Sequence, residues 1–243
     1  MGLGPKVLLG VTALAAVGVA AWTFHSHGLY RYLKSEESRR DESKRGLASG
    51  REVAPEELAG ADAVLGDPVF IRIFKESSEL ELWVQPGGAG EFVLALQWPI
   101  ARWSGTLGPK LMEGDGQAPE GFYYTNRSSL NPNSSYHLSF NINFPNAYDR
   151  SLGRTGTFIM VHGGRSSIGC FAMTDPVIEV IYATVEAALQ NGQDTVPIHV
   201  FPFRMTSERI AEIAAEDPWK SFWLDELLPE YLRFETERSI PTL

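Results

Sequence analysis

The sequence is poor in cysteine, with Cys170 as the single one among 243 residues. One cysteine cannot form an intramolecular disulfide, and a metal site built from cysteines alone is excluded. A free cysteine most often serves as a small buried hydrophobic residue. A thiol beside a base is instead a candidate nucleophile, so the neighbours of Cys170 decide between the two interpretations.

An excess of basic residues is also missing. Lys and Arg number 21 against 30 Asp and Glu, which gives a formal net charge of −9. Binding of nucleic acid through bulk electrostatics needs the opposite balance, so no nucleic-acid partner is expected. The hydrophobic fraction of 44% is ordinary for a globular protein and permits one sizeable packed domain.

Long apolar runs are absent except at residues 7–24, VLLGVTALAAVGVAAWTF, which carry no charge. This length is close to the lower limit for a membrane-spanning helix and exceeds the usual core of a signal peptide. We therefore predict that residues 1–28 form an uncleaved membrane anchor, with a signal peptide cleaved near Ala21 as the alternative. The charges alone favour an inverted orientation, because only Lys6 precedes the run and four basic residues follow it within residues 31–40.

Residues 29–66 are predicted to form a polar tether. Within them, residues 34–60 are dense in charges of both signs and poor in large apolar side chains. Such a segment cannot bury enough surface to offset the entropy lost on ordering. A charged helical stalk is the alternative.

Apolar residues alternate with period two in several later segments, which indicates β-strands. A helix is predicted with Asp175 as its N-cap, Pro176 in its first turn and Gly192 at its end. Residues 206–234 suggest two further helices, broken at Pro218. These elements predict a β-rich α+β domain with helices packed on a sheet. The predicted strands are 69–74, 80–84, 92–98, 136–142, 157–161 and 197–201.

The most informative segment is residues 158–175, FIMVHGGRSSIGCFAMTD. A short apolar strand leads to His162, a loop containing glycines follows, and Cys170 lies eight residues after the histidine. An imidazole placed there can accept the thiol proton and so generate the thiolate that attacks a carbonyl. The amides of Gly169 and Cys170 could then face the developing oxyanion. The alternative interpretation is a strand-end histidine followed by ordinary turn residues.

The run HGGRSSIGCFAMTD resembles the signature of the L,D-transpeptidase catalytic domain, or YkuD, family. That family pairs a His-Gly element with a later Ser/Thr-x-Gly-Cys element, here His162-Gly163 and Ser167-Ile168-Gly169-Cys170. The Phe-Ala-Met after the cysteine is similar to the YafK-like branch of the family. The resemblance covers residues 67–206 as the predicted catalytic domain and leaves 207–243 as a C-terminal helical extension. Further stretches similar to that branch are 119–123, 131–150 and 200–206.

The resemblance implies that Cys170 is the nucleophile and His162 its base, with backbone groups of Gly169 and Gly163 at the oxyanion. No cofactor is expected. We further expect the thiol to be partly exposed and more acidic than a free cysteine, because a nearby imidazolium stabilises the thiolate. The residue before the glycine is often histidine in the family and is Ile168 here.

An arginine that often follows the family's cysteine is also absent, so a substrate carboxylate needs another cation. Arg165 and Arg204 are the candidates, because a guanidinium can bind a carboxylate through two hydrogen bonds. Ser167, Tyr136 and His137 complete the predicted substrate-binding residues, and His137 is alternatively a second base or a histidine satisfied within its strand. A zinc site formed by His137, His162 and Cys170 would lack a fourth ligand, so no metal is predicted.

The implied activity is acyl transfer on peptidoglycan stem peptides through a thioester to the cysteine. The alternatives are an amidase or peptidase that uses the same thiol, for example to release wall-linked lipoprotein, and a wall-binding module without chemistry. The presence of both His162 and Cys170 argues against the last. The resemblance also implies a domain that faces the periplasm in the cell envelope, anchored in the inner membrane, and this overrides the charge count.

Overall fold

The computed structural model describes residue 58 and residues 61–240. The chain divides after residue 53 into two units, and every described residue belongs to the second. The predicted anchor and most of the predicted tether therefore lie outside the described residues. Within the described part, no helix combines the length and the apolar character needed to cross a membrane.

Two sheets form the framework of the domain. The first has five strands in the order β3-β2-β1-β9-β4, and the second has four in the order β5-β6-β7-β8. In the first sheet, β1 pairs antiparallel with β2 and parallel with β9. In the second, β6 and β7 are antiparallel whereas β7 and β8 are parallel. The strands are β1 (Val69–Phe74), β2 (Glu79–Val84), β3 (Val93–Pro99), β4 (Gly121–Thr125), β5 (Leu130–Ser134), β6 (His137–Asn141), β7 (Met160–His162), β8 (Phe171–Ala172) and β9 (Val196–Phe201).

All six side chains of the central strand β1 are buried. Because successive side chains point to opposite sides of the sheet, both faces of this strand are covered. Ile71 and Ile73 belong to the main core. Phe70 and Phe74 face two smaller aromatic clusters on the other side, which include Trp223 and Phe234 from the C-terminal helices. The domain is thus an α+β structure with helices on a sheet, as predicted.

Helix α2 (Asp175–Gln190) contacts strands of both sheets, β1 and β9 in the first and β6 and β7 in the second. Its buried face includes Ile178, Ile181 and Val185, which recur at helical spacing. The other α-helices of the described residues are α1 (Ala147–Ser151), α3 (Ser207–Ala211) and α4 (Leu228–Glu237), which continues a π-helical turn at Phe222–Leu227. Short 3-10 helices lie at Pro86–Gly88 and Arg127–Ser129. Helix α2 begins three residues after the end of β8, so the segment that carries the cysteine leads closely into it.

Some boundaries differ from those predicted. Asp175 is the first helical residue, and Thr174 takes the N-cap position without a side-chain capping bond. Leu58 and Ala63, assigned to the tether, are buried in the main core, because a few apolar residues suffice to dock the end of a polar segment. The C-terminal segment breaks between α3 and the π-helical turn, near the expected Pro218.

Candidate active site

The imidazole is at the end of β7, and the thiol is on the residue directly before β8, the adjacent strand of the second sheet. In the parallel pair β7–β8, Val161 aligns with Phe171 and His162 with Ala172, so Cys170 comes beside Met160. The Cys170 sulfur accepts a hydrogen bond from the Met160 amide at 3.4 Å and donates to the Phe158 carbonyl at 3.5 Å. Residues two apart on a strand share a face, so Met160 and His162 bring the thiol and the ring to the same side.

His162 is buried and held in one orientation. Its Nδ1 lies 2.6 Å from the Gly163 carbonyl oxygen, and a carbonyl can only accept. Nδ1 therefore carries the proton, and Nε2 remains as the proton acceptor of the ring. The Tyr136 ring covers the imidazole with 4.7 Å between the ring centroids. The arrangement presents an oriented neutral base.

The ionisation of the two groups follows from burial. Burial lowers the pKa of His162, and the bond to Gly163 opposes this effect only in part. Burial raises the pKa of the Cys170 thiol, against smaller opposing effects of the Met160 amide and the charge of Lys110. The prediction of a partly exposed thiol is confirmed. The prediction of an acidic thiol is wrong for this structure, because between residues 61 and 240 no hydrogen bond joins the ring to the sulfur and burial dominates.

The turn before the cysteine is held by two serine hydroxyls. The Gly169 amide donates to Ser104 Oγ at 2.6 Å, and Ser167 Oγ donates to the Cys170 carbonyl at 2.6 Å. Gly169 has a φ angle of +96°, a backbone conformation that residues with a Cβ atom rarely adopt. The amide predicted to face the oxyanion thus already has a partner in this structure.

Gly163 contributes differently from the prediction. Its amide donates to the Leu138 carbonyl at 3.1 Å and is not directed at the thiol. A Cβ at this position would lie 2.6 Å from the Tyr136 carbonyl oxygen and 2.8 Å from Asp175 Oδ1. Gly163 is therefore required for close packing against α2, and its carbonyl, not its amide, serves the site by orienting His162.

The predicted substrate-binding residues separate into two groups. Tyr136 and Ser167 are in the site, where one covers His162 and the other bonds the Cys170 backbone. His137 faces α2 instead, with Nε2 2.6 Å from Glu179 Oε1. This contact directs His137 away from a role as second base in this structure.

The two candidate arginines also differ. Arg165 is exposed in the loop between His162 and Cys170, where it can meet a ligand. Arg204 lies at the first sheet, bonded to Glu79 at 2.9 Å and Glu81 at 2.8 Å. Its guanidinium also stacks on Phe74, so the structure does not bring Arg204 to the thiol.

Three residues at the site escaped the sequence analysis. Ser104 binds the Gly169 amide, Asp175 accepts from the Gly164 amide at 2.7 Å, and Lys110 places its charge near Cys170. Asp175 had been interpreted as a helix cap, and its position at the start of α2 was the available signal. No pattern in the sequence marks Ser104 or Lys110, because their contacts join distant segments of the chain.

Several apolar side chains on the segments around Cys170 are exposed. Phe158, whose carbonyl accepts from the sulfur, is 75% exposed, and Ile168 is 84% exposed. Met112 is also exposed. Its loop is joined to the segment before Phe158 by a hydrogen bond of 3.1 Å from the Thr155 amide to the Leu111 carbonyl.

Comparison with known proteins identifies the family of the chain. The family model described as the L,D-transpeptidase catalytic domain, YkuD, matches residues 79–200. This chain belongs to that family. The matched span contains Ser104, His162 and Cys170, so the described site lies within the L,D-transpeptidase catalytic domain.

A relative of the chain shares this family resemblance over most of its length. It is YafK of Escherichia coli (strain K12), whose name assigns L,D-transpeptidase activity only provisionally. The two sequences are 41% identical over 197 residues, which span 81% of this chain and 78% of that protein. The alignment is long enough to support the family assignment on its own.

Two solved structures are similar at lower identity. The helical cell shape determining protein Pgp2 from Campylobacter jejuni is 22% identical, with a TM-score of 0.44, over 60% of this chain and 54% of that one. Bd1075 of Bdellovibrio bacteriovorus is 21% identical, with a TM-score of 0.39, over 56% of this chain and 48% of that one. The chain thus spans about half the length of each of these two structures.

Proposed function

We propose that this chain transfers acyl groups of peptidoglycan stem peptides through a thioester on Cys170. The observation that carries the proposal is the placement of His162 at the end of β7 and of Cys170 directly before the adjacent β8, with the imidazole oriented by the Gly163 carbonyl. A half-buried thiol on the same side of the sheet as an oriented neutral base is suited to attack on an amide carbonyl. Membership of the L,D-transpeptidase family supports the choice of a wall peptide as substrate.

The first half-reaction forms the bond from sulfur to carbon. The thiol proton passes to Nε2 of His162 while the sulfur attacks the carbonyl carbon of the stem peptide. The tetrahedral intermediate then collapses with cleavage of the carbon–nitrogen bond, and His162 returns the proton to the leaving amine. The product is a thioester on Cys170 and a free amine.

The second half-reaction depends on the acceptor. An amine of a second stem peptide, attacking with loss of its proton to His162, regenerates the thiol and forms a cross-link. Water at the same position gives hydrolysis, and a donor linked to a lipoprotein would then be released from the wall. The same acyl-enzyme serves both outcomes, so the products decide between them.

The cellular place follows from the substrate. Peptidoglycan lies outside the cytoplasmic membrane, so we propose that the domain faces the periplasm. Residues 7–24 would anchor it in the inner membrane, and the polar residues up to the domain would act as a tether.

The test is incubation of the purified full-length protein with muropeptides, followed by mass spectrometry of the products. Cross-linked dimers indicate transpeptidation, and peptides shortened by one cleavage indicate hydrolysis. Cys170→Ser should lower turnover by roughly 10⁴-fold or more, with an unchanged circular dichroism spectrum and melting temperature. Wild-type turnover by a folded Cys170→Ser protein would remove the cysteine from the mechanism, and absence of any product with the wild type would remove the proposed function.

A further inference from the structure

We infer that Ser104 is a positioning residue that fixes the nucleophile turn, so that the Cys170 amide faces the oxygen of the acyl donor. The inference rests on the proposed function, since it concerns how the same thiol is acylated. Its observation is the 2.6 Å hydrogen bond from the Gly169 amide to Ser104 Oγ, formed across 65 residues of sequence.

The hydroxyl of Ser104 both donates and accepts a hydrogen bond. It donates its proton to the Gly116 carbonyl at 2.7 Å, so a lone pair of its oxygen is directed at the Gly169 amide. The Gly116 bond removes the freedom of the hydroxyl to rotate. Ser104 therefore acts as an oriented acceptor, not as a donor, toward the turn.

The support under Ser104 is rigid. The Ala118 amide donates to the Ser104 carbonyl at 2.9 Å, which closes the loop between the two residues. Lys75, fully buried, then bonds the Gly108 carbonyl at 2.8 Å, the Ala118 carbonyl at 3.0 Å and the buried Glu120 carboxylate at 2.9 Å. Because both sides of this loop bond to one buried cation, Ser104 has little freedom to move with the turn.

The Gln117 side chain adds a further tie across the same loop. Its Nε2 donates to the Thr106 and Gly108 carbonyls at 2.6 Å and 2.7 Å. The Gln117 carbonyl oxygen would lie 3.3 Å from a Cβ added at Gly169, so the loop also packs directly against the turn. Contact and hydrogen bond together define where Gly169 lies.

The two serine hydroxyls fix the turn on both sides of one peptide unit. Ser104 holds the Gly169 amide, and Ser167 holds the Cys170 carbonyl. Between them lies the peptide that carries the Cys170 N–H, the amide nearest in sequence to the sulfur. Because the Gly169 amide is already bonded to Ser104 in this structure, the geometry assigns stabilisation of the oxyanion to the Cys170 amide. A donor of this kind works only if its direction is set before the reaction.

A competing view gives Ser104 the opposite effect. If the Gly169 amide were itself needed at the oxyanion, Ser104 would compete for it, and removal of the hydroxyl would accelerate acylation. The two views predict changes of opposite sign, so kinetics separate them.

The experiment compares two reagents on the full-length protein. Acylation of Cys170 by p-nitrophenyl acetate forms a sulfur–carbon bond through a tetrahedral oxyanion and releases p-nitrophenolate. Alkylation by iodoacetamide displaces iodide at a saturated carbon and forms no oxyanion. Ser104→Ala should slow maximal acylation by about tenfold or more, with the half-saturating ester concentration and the alkylation rate within about twofold of wild type.

Isosteric variants and a control complete the test. Ser104→Thr keeps the hydroxyl acceptor and should acylate at close to the wild-type rate. Ser104→Val has the shape of threonine without the hydroxyl and should acylate slowly. This pair decides the matter if Ser104→Ala fails to fold. Ser207→Ala, at an exposed serine that begins α3, should leave both rates unchanged.

Three outcomes would overturn the inference: acylation at or above the wild-type rate in Ser104→Ala, equal slowing of acylation and alkylation, or equal rates in the Thr and Val variants. Because neither reagent is a wall peptide, these results stand apart from the proposed function. Failure of the wild type to turn over muropeptides would remove that function and leave the result on Ser104 in place.

Discussion

At the scale of single residues, the resting site holds a neutral thiol and a neutral imidazole. Burial raises the pKa of Cys170 and lowers the pKa of His162, so a thiolate–imidazolium pair is disfavoured before the substrate arrives. Proton transfer must then accompany attack on the carbonyl. The Gly163 carbonyl stabilises the ring at this step, because the proton on Nδ1 becomes more acidic when Nε2 is protonated.

The first prediction separates the two histidines. His162→Ala should slow acylation by about 10²-fold or more, because it removes the oriented base. His137→Ala should have the smaller effect, because the His137 ring contacts Glu179 on α2. The measurement is the rate of acyl-enzyme formation by mass spectrometry for each variant. A larger loss of rate in His137→Ala than in His162→Ala would show that His162 is not the base.

The second prediction concerns the pH dependence of the thiol. Burial raises the pKa of Cys170. The rate of iodoacetamide labelling of the native protein should therefore reach half its maximum at a pH above about 8.5, the pKa of an ordinary thiol. The control is the same protein in denaturant, which should label with the ordinary midpoint. A native midpoint below the denatured one would show a thiolate stabilised by His162 and contradict the neutral pair.

The sequence was informative about those site residues that are close together along the chain. His162 and Cys170 could be predicted because the run around them resembles the family signature, whose two elements lie close together along this chain. Ser104 could not, because its contact with Gly169 exists only after two segments meet across 65 residues. The misassigned role of Gly163 has the same origin, since its amide is taken by Leu138 on the neighbouring strand.

At the scale of elements, the C-terminal helix is part of the core. On α4, Phe234 packs edge-on against Phe70 and Trp83 of the first sheet, with ring centroids 4.8 Å and 4.9 Å apart. The buried guanidinium of Arg72 lies beside the same ring and bonds Glu235 of α4 at 2.7 Å. The helix therefore covers a charge and an aromatic cluster that would otherwise meet water.

The third prediction tests this role of α4. Phe234→Ala should lower the free energy of unfolding by about 3–5 kcal/mol, because it removes a fully buried aromatic ring. Leu232→Ala, on the same helix but half-exposed, is the matched control and should cost about 1 kcal/mol or less. Urea unfolding followed by tryptophan fluorescence measures both. Similar losses in the two variants would mean that α4 is not docked as described.

Strands with alternating apolar residues were predicted within a few residues of their observed positions, as for β1 and β9. Strand β5, LNPNS, was missed because it has no alternation and contains Pro132, which cannot donate to a ladder. Strand β8 was missed because two residues are too short for any period. Both strands form because the neighbouring β6 and β7 offer them partners, which is tertiary information.

At the scale of the whole molecule, the buried His199 links stability to pH. Its side chain lies between Phe70 and Phe122, and its Nδ1 has no hydrogen-bond partner in the described part of the chain. Burial, followed by the charges of Arg72 and Arg233, lowers the pKa of His199 to about 3. Folding therefore excludes a proton that the unfolded chain binds.

The fourth prediction follows from that difference. The unfolded chain takes up the proton of His199 below its ordinary pKa of about 6.5, whereas the folded protein does so only near 3. Stability is therefore complete above the higher value and falls with acid between the two, by up to about 1.4 kcal/mol per pH unit. His199→Leu should give a shallower loss in urea unfolding at pH 6.5 to 5. An unchanged slope would show that His199 does not carry this linkage.

The last prediction concerns the two units of the chain. Residues 7–24 were predicted from sequence to anchor the protein, and the described domain lies in the unit that begins at residue 54. An uncharged run of this length partitions into a bilayer strongly enough to resist extraction by salt or alkaline carbonate. The full-length protein should therefore remain in the membrane fraction with its N-terminus intact. A chain of residues 54–243 should leave that fraction and, because Cys170 and His162 are retained, turn over soluble muropeptides at the rate of the full-length protein. Recovery of a soluble form of the full-length protein that begins near residue 21 would identify a cleaved signal peptide instead.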